Sequence, residues 1–228
     1  MSLALVPQLF TYQTRIGPDD ALDACAKLYG RVEREVFADI QRGKESGSLK
    51  STYLRQYAIP ARMFNAARIA VEGKIKSIQK LQVDQAEQLR RRLRQAQKVI
   101  VRLEENQDWP KLHQKKRRLA ILQTKLTRLE SDLENGKVRI AFGSKQLWRA
   151  QFNLEENGYA SHEEWLADWR KARSSEWFIV GSKDETAGCQ LCVATLSEQG
   201  IDLRVRVPDA LAGQFGKYHV IATHLSCR

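Results

Sequence analysis

No run of eighteen or more uncharged apolar residues occurs in the 228-residue chain, so no membrane-spanning helix is expected. The opening Met1-Ser-Leu-Ala-Leu-Val-Pro7 is too short for a secretory signal and lacks its basic flank. A cytoplasmic protein without a membrane partner is the expectation. Cysteine is sparse, with Cys25, Cys189, Cys192 and Cys227 only, and without a signal these read as free thiols or metal ligands and not as a disulfide framework. The G-x-x-x-x-G-K-[ST] loop, the G-x-S-x-G elbow and the H-E-x-x-H helix are all missing, which removes the common phosphate-binding, hydrolase and metalloprotease signatures. Glu163, Glu164 and Asp168 cluster on one short stretch, but the first two suit a helix N-terminus. The convergent carboxylates that a metal-dependent nuclease needs cannot be assembled. Neither catalysis nor a cofactor is expected.

Acidic residues are also in short supply. The formal charge is +11 and the pI about 9.6, which favours a polyanionic partner through counterion release. Much of that charge lies between Gln88 and Leu133. Leu89, Leu93, Ala96, Ile100 and Leu103 recur at spacings of four and three, as do Leu119, Leu122, Leu126, Leu129 and Leu133. Both runs are coiled-coil seams. Asn106-Gln-Asp-Trp-Pro110 between them supplies a stop and a turn, so the spacing predicts an antiparallel hairpin over 88–133 whose arms bury each other's leucines. A monomer follows, since no second copy is needed to cover the seam. Its outer surface carries Arg90, Arg91, Arg92, Arg94, Lys98 and Arg102 on one arm and Lys115, Lys116, Arg117, Arg118, Lys125 and Arg128 on the other. A basic helix made for a membrane surface would show a wide apolar face, and these arms offer a narrow seam instead. A charged coat that merely solvates an interaction or scaffold coiled coil is the competing reading.

Around the hairpin the pattern changes. Leu9 to Ile16 alternates and ends at Gly17-Pro-Asp-Asp20, a strand with no local partner. Asp19 or Asp20 can cap an amphipathic helix through Leu22, Cys25, Leu28, Tyr29, Val32, Val36 and Ile40. A shorter helix near Leu49 to Tyr57 precedes Ile59-Pro60. From there Phe64, Ala67, Val71, Ile75, Ile78 and Leu81 lead on into the hairpin, with Arg62, Asn65 and Arg68 forming a polar stripe at three-residue spacing. Arg and Asn pair bidentately with guanine and adenine edges, which makes the stripe a candidate base reader. After Glu134-Asn-Gly136, strands are predicted at Lys137–Phe142, Trp177–Val180, Leu191–Leu196, Ile201–Val207 and Lys217–Ala222, with turns at Gly143-Ser-Lys145 and Gly181 to Glu185. A capping box at Ser161 opens a short helix over 161–173 that carries Trp165 and Trp169 on one face. The last strand ends six residues before Arg228, which leaves the β region unfinished.

Cys189-x-x-Cys192 and His219-x4-His224 resemble a two-cysteine, two-histidine zinc set on the surface. Twenty-six residues separate Cys192 from His219, where a compact finger uses about twelve. Thiols three apart on a strand also face opposite sides. No metal is therefore expected.

Phe142-Gly-Ser-Lys-Gln-Leu147, Gln151-Phe-Asn-Leu-Glu-Glu-Asn-Gly-Tyr159, Ser161-His-Glu-Glu-Trp165, Trp169-Arg170, Arg173 and Val180-Gly-Ser-Lys-Asp-Glu-Thr186 resemble the front part of a known family. Tyr29-Gly-Arg-Val-Glu-Arg34, Phe64-Asn65 and His113-Gln-Lys-Lys-Arg-Arg118 resemble it as well. The family is the transposon-encoded OrfB/TnpB-type proteins, RNA-guided nucleases related to type V CRISPR effectors. The resemblance implies an α+β architecture: a wedge-type β-barrel begun in 1–18, interrupted by a helical recognition-type domain at 19–135, and resumed over 136–228. It implies guide RNA and double-stranded DNA as partners. By position it assigns Arg62 and Asn65 to motif reading, and Arg90, Arg91, Arg94, Lys115, Lys116, Arg117, Arg118, Lys145, Arg149 and Lys183 to nucleic-acid backbones, with Arg68 of the same stripe a further nucleic-acid-binding candidate. The family's RuvC-like nuclease domain and its zinc ribbon are not in this chain. A nucleic-acid-binding, truncated product that does not cut DNA is the expectation.

Overall fold

The computed structural model describes residues 13–181, 189–198 and 200–223. Among these, seven α-helices, one short 3-10 turn and three strands are formed. Helix α1, Asp20–Gln41, starts where Asp19 accepts a hydrogen bond from the Leu22 amide at 2.9 Å, the ordinary remedy for a free first-turn N–H. Its inner face places Ala21, Cys25, Tyr29, Val32 and Val36 in the core at three- and four-residue steps. Helix α2, Lys50–Tyr57, ends at a left-handed Ala58 just before Ile59-Pro60. Helix α3 then runs without interruption from Ala61 to Glu105. At 1.5 Å per residue this is a rod of roughly 68 Å. Its first half buries Met63, Phe64, Ala67, Val71 and Ile75 against α1 and α2, and its second half projects outward as one arm of the hairpin.

The return arm is α4, Trp109–Glu134. The turn is tighter than the sequence predicts. Gln107 takes a positive φ of 55°, Asp108 caps α4, and Trp109 and Pro110 already belong to its first turn, where a missing amide hydrogen costs nothing. Leu93, Ile100, Leu112 and Leu122 are buried between the arms, and the other seam leucines are half-buried.

The β-barrel is not formed. The described residues are mostly helical, at 63%, and the strands β1 (Cys192–Ser197), β2 (Gly200–Arg206) and β3 (Tyr218–Ala222) make a single open antiparallel sheet in the order β1-β2-β3. Closing a barrel requires both edge strands to find partners, and among the described residues neither β1 nor β3 has a second neighbour. Two predicted strands are extended segments without ladders. Over 137–142 the chain lies along helices: Val138 donates its amide to the Gln41 side chain at 3.1 Å, Gln82 donates to the Lys137 carbonyl at 3.1 Å, and Phe142 meets Phe37 edge-on. Trp177 and Val180 likewise pack on the helical core. Their apolar pattern marked burial against helix flanks and not strand pairing. Residues 13–16 of the predicted first strand are in no strand, and Leu9–Tyr12 lie outside the described residues.

Two helices went unforeseen. Ser144 caps α5, Lys145–Ala150, by accepting from the Leu147 amide at 2.9 Å, in place of a simple turn. Helix α7, Asp209–Phe215, follows Pro208 and docks through the Ala210 amide on the Ala58 carbonyl at 3.1 Å. Helix α6, His162–Ala172, shows a reciprocal cap. Ser161 accepts from the Glu164 amide, and Glu164 accepts from the Ala160 amide. Trp165 and Trp169 stack at 6.1 Å in a second small core with Ala150.

Candidate nucleic-acid interface

Between Gln88 and Leu133 stand thirteen Lys and Arg against five Asp and Glu, so the hairpin holds eight of the chain's eleven net positive charges. The register decides how these charges fall. With Leu93 and Leu122 in the seam, each arm presents one flanking row on either edge. On the first edge Arg90 pairs with Glu130 at 2.6 Å and Lys116 with Glu104 at 2.7 Å. The same register sets Arg92 opposite Lys125 and Val99 opposite Arg118 on the second edge. No acid stands between them, and none of the three cations has an ion pair among the described residues. Arg118 and Lys125 are one heptad apart, roughly 10 Å along the helix. One edge of the hairpin is thus neutralised, while the other carries three cations without an ion pair; its acid, Asp132, one heptad beyond Lys125, is bound to Arg139 at 3.2 Å. Arg92 and Lys125 are absent from the backbone-contact set that the resemblance implies, because the sequence shows a coat of charge but not which acids cancel which bases.

The remaining sequence-predicted residues divide. Arg91 pairs with Glu87 at 3.3 Å, and Arg90 and Lys116 are spent on the neutral edge. Arg94, Lys115 and Arg117 are exposed and carry no ion pair among the described residues. The stripe of Arg62, Asn65 and Arg68 is half-buried where α3 enters the core. Arg68 binds Glu72 at 2.9 Å, and Glu72 accepts the Ser46 hydroxyl at 2.6 Å. The Ser46 hydrogen bond and the Arg68 charge hold the Glu72 carboxyl below its usual range despite partial burial. Arg68 therefore helps pin the loop between α1 and α2, and Arg62 is also engaged. Lys145 and Arg149 are exposed on α5, well apart in sequence from the hairpin. Lys183 lies outside the described residues.

Of the four residues weighed as a zinc set, His224 is outside the described residues. Cys192 shares a cross-strand row with Val205 and His219, so these three face the same side of the sheet. His219 is occupied by Asp19, with its Nε2 2.6 Å from the carboxylate. Burial, and then the neighbouring Cys189, push the Cys192 thiol up. No group of three or more His, Cys, Asp and Glu side chains among the described residues is arranged to hold a metal ion.

A cleft of about 520 Å³ opens between α1, α3 and the segments 140–143 and 173–176. Inside it Lys74 pairs with the buried Glu33 at 2.7 Å and rests over the Phe142 ring at 5.6 Å. Arg173 and Glu176 complete a lining of balanced sign. The cleft therefore offers no net attraction to a polyanion, unlike the hairpin edge. No helix among the described residues is long and apolar enough to cross a membrane. No protein-family model, curated protein or solved structure matches the chain.

Proposed function

We propose that this chain binds nucleic acid as a monomer and grips the phosphate backbone with the hairpin edge formed by Arg92, Arg118 and Lys125. The observation that carries the reading is the asymmetry of the two edges. On the first edge Arg90 and Lys116 each face an acid, whereas Arg92, Arg118 and Lys125 on the second have no ion pair among the described residues. The resemblance to OrfB/TnpB-type proteins makes guide RNA and a target DNA duplex the partners to try first, in the cytoplasm and without cleavage. Titration of the full chain with labelled duplex DNA and with structured RNA tests it. Three phosphate contacts on B-DNA predict that a fourfold rise in salt weakens binding by roughly 40-fold. Binding that ignores salt, or no binding at low salt, defeats the proposal.

A second reading, a coiled-coil interaction protein, draws support from Val101 and Ile121, which stand 53% and 45% exposed on the hairpin. A salt-insensitive protein partner and no nucleic-acid binding is the result that favours it.

A further inference from the structure

We infer that α5 presents a stacking platform for the unpaired bases of single-stranded nucleic acid. The inference rests on the reading that the chain binds nucleic acid, and adds a second site of different specificity. Lys145, Trp148, Arg149 and Phe152 follow at i, i+3, i+4 and i+7, which places all four on one helical face. Phe152 continues that face because its amide still donates to the Arg149 carbonyl at 3.1 Å.

The opposite face anchors the helix. Ala150 is buried against Trp165 and Trp169, the Trp165 indole N–H donates to the Leu147 carbonyl at 2.7 Å, and Ser144 caps the Leu147 amide. The platform is thus held on a packed aromatic base and cannot turn its rings inward. Trp148 and Phe152 are left 43% and 67% exposed, with centroids 5.5 Å apart and planes at 76°. Two of the chain's five tryptophans, Trp165 and Trp169, lie buried against the opposite face of the helix, while Trp148 keeps an exposed surface.

The chemistry of the face selects its occupant. Large rings alternate with Lys145 and Arg149, neither of which has an ion pair among the described residues. Rings accept the faces of bases, and the cations between them accept the phosphates that join those bases. A duplex keeps its bases stacked on each other and has no free face to offer. A bilayer would meet two charges within the same two turns as the rings, with no broad apolar surface to insert. An apolar protein groove would have to bury both cations without a partner.

Binding of short fluorescein-labelled oligo(dT), which cannot pair with itself, and of a duplex of equal length to the full chain tests the platform. Trp148→Ala and Phe152→Ala are each expected to weaken oligo(dT) binding by about 5- to 150-fold, with duplex binding little changed. Trp148→Phe should retain most of the affinity. The thermal midpoint should not move, since both rings are exposed, and that separates lost stacking from lost folding. Unchanged oligo(dT) affinity in the alanine variants overturns the platform but leaves duplex binding by the hairpin intact. An equal loss on duplex also overturns it. So does a loss seen only with phosphatidylcholine–phosphatidylserine vesicles or in self-association. If the unmodified chain binds neither nucleic acid, both readings fall together.

Discussion

His219 on β3 holds its Nε2 2.6 Å from the Asp19 carboxylate, the same group that caps α1 at the Leu22 amide. The last strand and the start of the first helix are thereby joined through one side chain, although 200 positions separate the partners. Burial works against ionisation of Asp19, but the Leu22 amide and His219 outweigh it and keep the carboxyl below its ordinary value of 3.8. A carboxyl depressed on folding contributes stability above its ordinary value and loses it as pH falls through the folded-state value. Asp19→Ala should cost about 1–2 kcal/mol in urea unfolding near neutral pH, and the gap from the unmodified chain should shrink as pH drops below about 4. Asp19→Asn keeps a capping oxygen and should cost less. A gap that is constant down to strong acid contradicts this assignment.

Glycine tests the packing of α1. A methyl group on Gly30 would stand 2.9 Å from the Arg173 carbonyl oxygen and 3.2 Å from Ser174 Cα, both backbone atoms that cannot swing aside. Gly73, in the middle of α3, has nothing within 4 Å. Helix propensity favours alanine at both by up to about 1 kcal/mol. Gly73→Ala should therefore raise the thermal midpoint, whereas Gly30→Ala should lower it, with a net loss of about 1–3 kcal/mol from overpacking. Equal shifts of the same sign would show that segment 173–174 does not pack on α1 as described.

The two hairpin edges separate by charge removal. Replacing Arg92, Arg118 and Lys125 together by Gln should flatten the slope of log K against log salt by about 2–3 on duplex DNA. Replacing Arg90 and Lys116, which are ion-paired, should change it much less. All these positions are on the surface of a long helix, so circular dichroism should be unaltered. Equal effects from the two sets would remove the distinction between the edges.

Leu122 probes how independent the hairpin is. It is 7% exposed, and its neighbours belong to the two arms. Leu122→Ala should cost about 2–5 kcal/mol locally. Because α3 beyond about residue 85 packs on α4 and not on the main core, amide exchange should quicken in the arms while Val32, Phe64 and Val71 stay protected. Simultaneous loss of protection in the core would mean that hairpin and core unfold as one unit.

Legibility followed the range of the interactions. The leucine seams, the Asp19 cap and the Ser161 capping box could be read locally, because each depends on residues within one or two turns. Ser144 carries the same capping signal for α5, but Gly143-Ser-Lys145 fits a turn equally well as a local pattern. Val138, Ile140, Trp177 and Val180 misled in the other direction. Apolar alternation reports that a segment is half-buried, and a groove between helices buries a segment as well as a sheet does. The barrel expectation arose from the resemblance, and the three described strands leave both edges of their sheet open.

By itself the sequence determined that two basic arms fold back on each other, since the heptad spacing of Leu89 to Leu103 and Leu119 to Leu133 has one economical burial. Tertiary structure alone decided where the charge is spent. Whether Arg90 is neutralised and Arg92 is not depends on the register between arms forty residues apart, and whether Trp148 is core or surface depends on Leu147 and Ala150 taking the side of α5 that packs on Trp165 and Trp169. Those outcomes are set by contacts across the fold, which no local pattern encodes.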